Sequence, residues 1–351
     1  MCIRDSAPGA VTVAQALREI GYETAAYVAA APLARGTGIE AGFERWWEQE
    51  GKPVRADVMV DRALEGLGPD LFASKVGLDP QPSARDWVKR LLCCAYQPTD
   101  NSSDVTRNAA TGVAEAIGAT FYILDVQHIV ESYERLIGDA VGRTLTWEQD
   151  DITLQNIQAR ARGPSVWMLA NMRGALLLST SNRSEAAVGY ATMDGDTCGG
   201  LSPIAGIDKA FLRPWLRWLE TEGPVGLKPI PALHAINVQA PTAELRPQGS
   251  EQTDEGDLMP YLVLDAIERL AIGDKLPPAD CLEILGSEFR DYDDETLRAW
   301  VKRFFQLWSR NQWKRERYAP SFHVDDKNLD PKTWCRFPIL SGGFERELSE
   351  L

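Results

Sequence analysis

Residues 175–182, ALLLSTSN, pass within a few positions from an apolar β-type run to small hydroxyl and amide side chains, and NRSEAAVGY follows as a helix. A strand that gives way to a helix so abruptly leaves its polar residues at the carboxyl end of a sheet, which is where α/β folds hold ligands. The same rhythm is set up upstream. LLCCAYQ (91–97) is a short buried strand, and NSSDVTRNAATGVAEAIG (101–118) is a helix with Ser102 or Ser103 as N-cap and Gly118 at its end. ATFYILDV (119–126) is the next strand, a helix covers 128–137, and a long helical stretch through residue 173 is interrupted at Gly163-Pro164. Strands joined by crossover helices predict an α/β fold with a parallel sheet.

The first part of the chain has a different character. A helix is expected at about 12–20, a strand in TAAYVAA, a Gly-rich turn leading to Phe43, Trp46 and Trp47, and a second helix at about 54–66. Residues 1–10 are set apart, because MCIRDS resembles a translated sequencing adapter. At 351 residues the chain is long enough for two or three domains and a sizeable core. Lys+Arg is 37 against 51 Asp+Glu, a net charge of −14, which argues against broad binding of nucleic acid but leaves room for an anionic small ligand in a local basic pocket. No apolar run approaches the ~20 residues that span a bilayer. The six cysteines form no C-x-x-C and the three histidines are far apart, so a Cys/His zinc site is not expected. A reducing, cytoplasmic setting fits the cysteine usage and the start, which lacks a basic region followed by an apolar one.

Three segments carry chemistry. In residues 176–209, Thr180, Ser181 and Asn182 sit where a helix N-terminus offers free N–H groups to an anion or nucleotide, and Glu185 suits a Mg²⁺ on phosphates. The plainer alternative is a capping box of Asn182 and Glu185. GDTCGG (195–200) is either a close-approach loop for a ligand or a plain turn. In NIQARARG (156–163), Asn156 and Arg160 share a helix face, and Arg160 and Arg162 either grip phosphate or form a solvated basic face. In residues 307–323, Arg310, Lys314, Arg315 and Arg317 are interleaved with Trp308, Trp313 and Tyr318. This reads as a phosphate-directed arm, as an RNA-type stacking surface, or as a charged helix end. No nucleophile–base pair can be assigned, and neither a G-x-S-x-G elbow nor a G-x-x-x-x-G-K-[ST] loop occurs.

YQPTDNSSDVTRNAA, the run from LTWEQDDITLQNIQARARG through LSPIAGIDK, PTAELRP…QTDEGDLMPY and FFQLWSRNQWKRERYAPSFHVDDKNLDPKTWCRFPILSGG resemble the synthetase domain of glutamine-dependent NAD⁺ synthases, over residues 72–351. The implied fold is a Rossmann-like adenine nucleotide α-hydrolase (N-type ATP pyrophosphatase) domain, truncated at its N-terminal edge. The implied reaction is amidation of nicotinate adenine dinucleotide (deamido-NAD). ATP with Mg²⁺ activates the carboxylate as an acyl-adenylate, and ammonia, supplied from glutamine by a nitrilase-like domain with a Cys-Glu-Lys set, displaces AMP. By the same resemblance Thr180, Lys209 and Thr242 face ATP. Asn156, Arg160, Glu185, Tyr190, Ala191, Thr192, Met193 and Lys314 face deamido-NAD, and Glu185 also faces the metal. A homo-oligomer, a dimer or higher, is implied as well.

Two departures stand out. The family's Ser-Gly-Gly-x-Asp-Ser pyrophosphate loop does not occur in the chain, since Ser341-Gly342-Gly343 continues as Phe344-Glu345-Arg346. Residues 11–66 instead resemble a sulfatase fragment without its C-x-P-x-R nucleophile motif, which suggests a chimera joined near residues 64–72. The expectations are therefore an impaired synthetase, with a non-catalytic nucleotide-binding fragment or a sulfatase-type hydrolase as the alternatives.

Overall fold

The computed structural model describes residues 25–28, 45–48, 69–76, 78–223, 228–247, 253–322, 327, 329–331, 336 and 338–351. The helices expected at 12–20 and 54–66 and the stretch 1–10 lie outside the described residues, as does most of the sulfatase-like segment. In chain order the strands are β1 (Ala25–Val28), β2 (Arg45–Glu48), β3 (Cys93–Tyr96) and β4 (Thr120–Ile123). The helices are α1 (Pro69–Val76), α2 (Ala84–Leu91), α3 (Asp104–Ile117), α4 (Gln127–Val141), α5 (Trp147–Ala161), α6 (Gly163–Arg173), α7 (Arg183–Val188) and α8 (Lys209–Thr221). They continue with α9 (His234–Asn237), α10 (Asp254–Asp257), α11 (Tyr261–Glu268), α12 (Pro278–Glu288), α13 (Asp294–Arg310), α14 (Gln312–Arg315) and α15 (Glu345–Ser349). Among the described residues no helix is long and apolar enough to cross a membrane.

The chain divides into two compact units. One comprises Met1–Tyr96, Val105–Tyr122 and Trp215–Val238. In it β1 pairs with β2 in parallel, Ala25 opposite Arg45, and β3 pairs with β4. Ser83 begins α2 by accepting the Asp86 N–H at 3.2 Å, and this turns Trp87 and Val88 inward. Gly118 closes α3 with φ +79°, as its position after the apolar period predicts. Leu219, Ile230 and Leu233 bury themselves against Val113 and Ile117 of α3.

The second unit comprises Gln97–Asp104, Ile123–Pro214 and Gln239–Leu351. Its core is built by α11, α12, α13 and α15. Phe304 and Phe305 of α13 are fully buried, and Phe344 stacks on Trp308 at 5.7 Å and meets Phe305 edge-on at 4.7 Å. The Ser341–Gly343 run thus delivers an aromatic residue to the core. Helix α11 buries Tyr261, Val263, Leu264 and Ile267, and also the acids Asp265 and Glu268, before a π-helical turn over Arg269–Gly273.

One strand expectation fails. Residues 175–182 do not form a third strand; Leu178 makes a single parallel bridge to Leu201. The Ser179 N–H donates to Leu201 O and the Gly200 N–H to Leu177 O, each at 2.8 Å. The segment's partner is the glycine loop folding back on it, so the pairing stops after one bridge. The sheets among the described residues are two strand pairs, not the larger parallel sheet the sequence suggests.

Candidate functional site

Helix α7 is only six residues long, so almost every backbone group in it needs a partner from outside its own ladder. Its start is closed by the capping box: Asn182 Oδ1 accepts the Glu185 N–H at 3.0 Å, and Glu185 Oε2 accepts the Asn182 N–H at 3.3 Å. The open helix N-terminus expected for an anion is therefore taken up internally. Its end is closed from α13 and α14. Arg315 Nη1 donates to Ala187 O at 2.8 Å and Ala186 O at 3.3 Å, and Asn311 Nδ2 donates to Val188 O at 2.7 Å. Gly189 follows with φ +67°, and a Cβ there would lie 2.4 Å from Asn311 Cβ, so both the turn and the close approach require glycine.

Beside α7 lies a cavity of about 700 Å³, within the usual range for small-molecule sites. Asn156, Thr180, Glu185, Tyr190, Ala191, Thr192, Lys209, Thr242 and Lys314 all line it. Arg160 and Met193 do not. Met193 is buried beneath the wall, and Arg160 Nε donates to its carbonyl at 3.0 Å. Asn156 reaches the same loop one step earlier, accepting the Thr192 hydroxyl at 2.9 Å. The shared face of Asn156 and Arg160 thus grips the loop after Gly189.

That loop is clamped from several sides. Lys314 Nζ donates to Gly189 O at 2.7 Å and Ala191 O at 2.8 Å. Burial pulls its ammonium below the usual lysine range, and the Asp196 carboxylate works against that pull. Arg317 pairs with Asp194 at 2.7 Å. Inside the loop Asp196 Oδ2 accepts the Thr192 N–H at 2.6 Å, and burial raises the Asp196 carboxyl above its ordinary value. The glycines of GDTCGG make close approaches to the protein itself: a Cβ on Gly195 would lie 2.7 Å from the backbone of Ala159, and one on Gly199 2.7 Å from Ser179 N.

The cationic arm of residues 310–317 therefore differs from the phosphate-directed or RNA-stacking surface it suggests. Of Lys314, Arg315 and Arg317, only Lys314 lines the cavity; Arg315 is 3% exposed on backbone carbonyls, and Trp308 belongs to the core. Arg162 lines the cavity, yet its Nε is bonded to Gln97 O at 2.9 Å and its Nη1 to Gln158 O at 3.2 Å.

The remaining wall adds Asp151, Arg246, Asp254 and Asp257, to which the sequence assigned no role. Tyr190 donates to Asp257 Oδ2 at 2.8 Å, Tyr261 donates to Asp254 Oδ2 at 2.9 Å, and Arg246 forks onto Asp151 at 3.0 and 2.8 Å. Burial raises the Tyr190 phenol and the Asp254 carboxyl. Asp254 and Asp257 could have been suspected from the acidic run TDEGD and Asp196 from its place in GDTCGG, whereas Arg246 carries no local signal. Lys209 Nζ pairs with Glu185 Oε1 at 3.1 Å. Five cations and five carboxylates line the cavity, so its wall alone offsets little of the charge a polyphosphate brings.

Behind this wall Asp208, Asp265 and Glu268 place carboxylate oxygens within 4.8 Å of one another. Two cations already serve them: Arg183 Nε lies 2.5 Å from Asp208 and 3.1 Å from Glu268, and Lys327 Nζ lies 2.7 Å from Asp208. Burial, with the Asp208 charge, pushes Asp265 up to about 6 and raises Glu268 as well. This group does not line the cavity and is a poor fit for Mg²⁺. Glu185 does line the cavity, where a cation shared with phosphates would have its carboxylate within reach, and its Oε1 would then be shared with Lys209.

A family model described as NAD synthase matches residues 88–317. The chain is 34% identical over 234 residues to the glutamine-dependent NAD(+) synthetase of Rhodobacter capsulatus, covering 65% of this chain and 39% of that protein. It is also 34% identical over 283 residues to that of Thermotoga maritima, covering 80% of this chain and 44% of that protein. A crystal structure of a glutamine-dependent NAD(+) synthetase from Cytophaga hutchinsonii is similar, with a TM-score of 0.72 and 46% identity over 84% of this chain and 48% of that one. The chain thus spans less than half the length of these relatives. None of these findings supports the sulfatase resemblance of residues 11–66.

Proposed function

Since the chain belongs to the NAD synthase family, we propose that its cavity binds ATP and nicotinate adenine dinucleotide and serves the amidation of the nicotinate carboxylate. The observation that carries this reading is the convergence of Asn156, Thr180, Glu185, Lys209, Thr242 and Lys314, which lie far apart in the chain, on one cavity. A carboxylate is a poor electrophile, so it is first joined to AMP with loss of pyrophosphate, and ammonia then displaces AMP. The side chains here bind and orient the reactants; none is assigned as an acid, base or nucleophile. Thr180, Lys209 and Thr242 face ATP, and Asn156, Tyr190, Ala191, Thr192 and Lys314 face the dinucleotide. Arg160 and Met193 serve by holding the loop that does so. Mg²⁺ held by Glu185 with the phosphates supplies charge neutralisation when bound.

The relatives are glutamine-dependent NAD(+) synthetases, which extends the proposal to ammonia drawn from glutamine; an α-hydrolase type of ATP site rests on the family resemblance of the sequence. A homo-oligomer rests on the family resemblance and is checked by sedimentation. Because Ser-Gly-Gly-x-Asp-Ser does not occur in the chain and the wall charges cancel, this chain by itself binds nucleotide but turns over slowly.

Calorimetry with ATP·Mg²⁺ and with nicotinate adenine dinucleotide tests the site. Lys314→Ala and Glu185→Ala should each weaken binding of at least one ligand about tenfold, roughly 1.4 kcal/mol. Unchanged affinities in both variants would remove the assignment. Ammonia-dependent NAD⁺ formation at the rate of a full-length relative would refute the impairment.

A further inference from the structure

Residues 183–185 and 207–209 are joined rung by rung. The Arg183 N–H donates to Ile207 O at 2.9 Å, and Arg183 Nε meets Asp208 Oδ1 at 2.5 Å. Ser184 Oγ accepts the Lys209 N–H at 2.8 Å, and Glu185 Oε1 meets Lys209 Nζ at 3.1 Å. Of these groups only Glu185 and Lys209 line the cavity. Asp265 of α11 closes the arrangement from behind, with Oδ1 accepting the Ser184 hydroxyl at 2.6 Å and Oδ2 accepting the Ala210 N–H at 2.9 Å.

A serine hydroxyl has one hydrogen and two lone pairs. Its hydrogen is committed to Asp265, and this turns a lone pair toward the Lys209 N–H. Ser184 is fully buried and Asp265 is 8% exposed, so water cannot take the place of either bond. The relay fixes the backbone of Lys209 relative to the residue immediately before Glu185, and so sets the separation of the two cavity-facing charges.

We propose that Ser184 and Asp265 are positioning residues, which hold the Glu185–Lys209 pair at the spacing that grips the ATP polyphosphate; the functional half of this rests on the nucleotide reading above. They touch no ligand and act through Lys209.

The test uses the full chain and two readouts, amide hydrogen exchange at Lys209 and Ala210 and calorimetric affinity for ATP·Mg²⁺. Ser184→Ala and Asp265→Asn should each speed exchange at Lys209 or Ala210 at least tenfold and weaken ATP·Mg²⁺ binding about tenfold. In a Lys209→Ala background Ser184→Ala should change affinity by less than twofold, because the residue through which it acts is gone. Leu285→Ala, a core truncation in α12, serves as a control that loses stability while keeping affinity. Unaltered exchange at both amides, or an equal loss of affinity with and without Lys209, would overturn the relay. A parent chain that binds no ATP·Mg²⁺ would overturn the nucleotide reading and the functional half of the proposal together, and the exchange data would then decide the relay alone.

Discussion

Helix α13 and the short α14 that follows it pack against the same segment, α7 and its C-terminal turn, by opposite means. Helix α13 presents Phe304, Phe305 and Trp308, whose contribution is area removed from water, is non-directional and tolerates repacking. Helix α14 presents Lys314 and Arg315, whose contribution is hydrogen bonds to particular carbonyls at the negative end of α7. An apolar face can hold a helix in place without fixing its last carbonyls. A six-residue helix beside a cavity needs both, because the positions of Gly189 to Thr192 depend on where those carbonyls point.

The largest expected break of this contrast is Phe305→Ala, which should cost about 3–5 kcal/mol in urea unfolding through the cavity it leaves. Next is Arg315→Met, which strands the buried carbonyls of Ala186, Ala187 and Trp308. We expect a loss of about 2–4 kcal/mol, with Arg315→Lys recovering less than half, because an ammonium cannot fork as a guanidinium does. If Arg315→Met were as stable as the parent, the directional half of the comparison would be wrong.

Glu268→Gln asks the same question of α11, where a carboxyl group is buried within an apolar face. The folded-state value of Glu268 lies near 8 against 4.5 unfolded, since burial disfavours the charged form. Between those values the folded chain holds the proton that the unfolded chain releases, so stability falls as pH rises, by up to about 1.4 kcal/mol per unit. Denaturation from pH 5 to 8 should show that slope in the parent and a flatter curve in Glu268→Gln. The smallest effect belongs to Arg317→Ala. Its pair with Asp194 is half exposed on both sides, and melting should detect a loss of about 0.5 kcal/mol or less.

What could be read from the sequence divides along the same line. The Asn182–Glu185 cap, the Gly118 stop and the Cys93–Tyr96 strand are set by residues within a few positions of one another, and the structure contains all three. Of the nine cavity residues, Asn156, Thr180, Glu185 and Lys314 stand out from the residues themselves, each with a plainer alternative, while Tyr190, Ala191, Thr192, Lys209 and Thr242 are marked only by the family resemblance. The third strand was misjudged because its partner is a loop some twenty residues on. The cationic arm was misjudged for a related reason: composition counts Arg315 and Arg317 as charges, and only the fold shows that carbonyls of α7 and the Asp194 carboxylate already occupy them. Arg246, defined by a partner 95 residues away, has no sequence signature, whereas Asp196, bonded to Thr192 four residues before it, lies in the GDTCGG loop the sequence does single out.

Lys314 carries one implication further. Its nitrogen has three hydrogens, and two are spent on Gly189 and Ala191. One direction is left for an incoming oxygen, which would complete a tetrahedron already three-quarters assembled. On the proposed reading, an arriving anion would meet a donor that need not abandon the turn it supports, so reach and angle would count as well as charge.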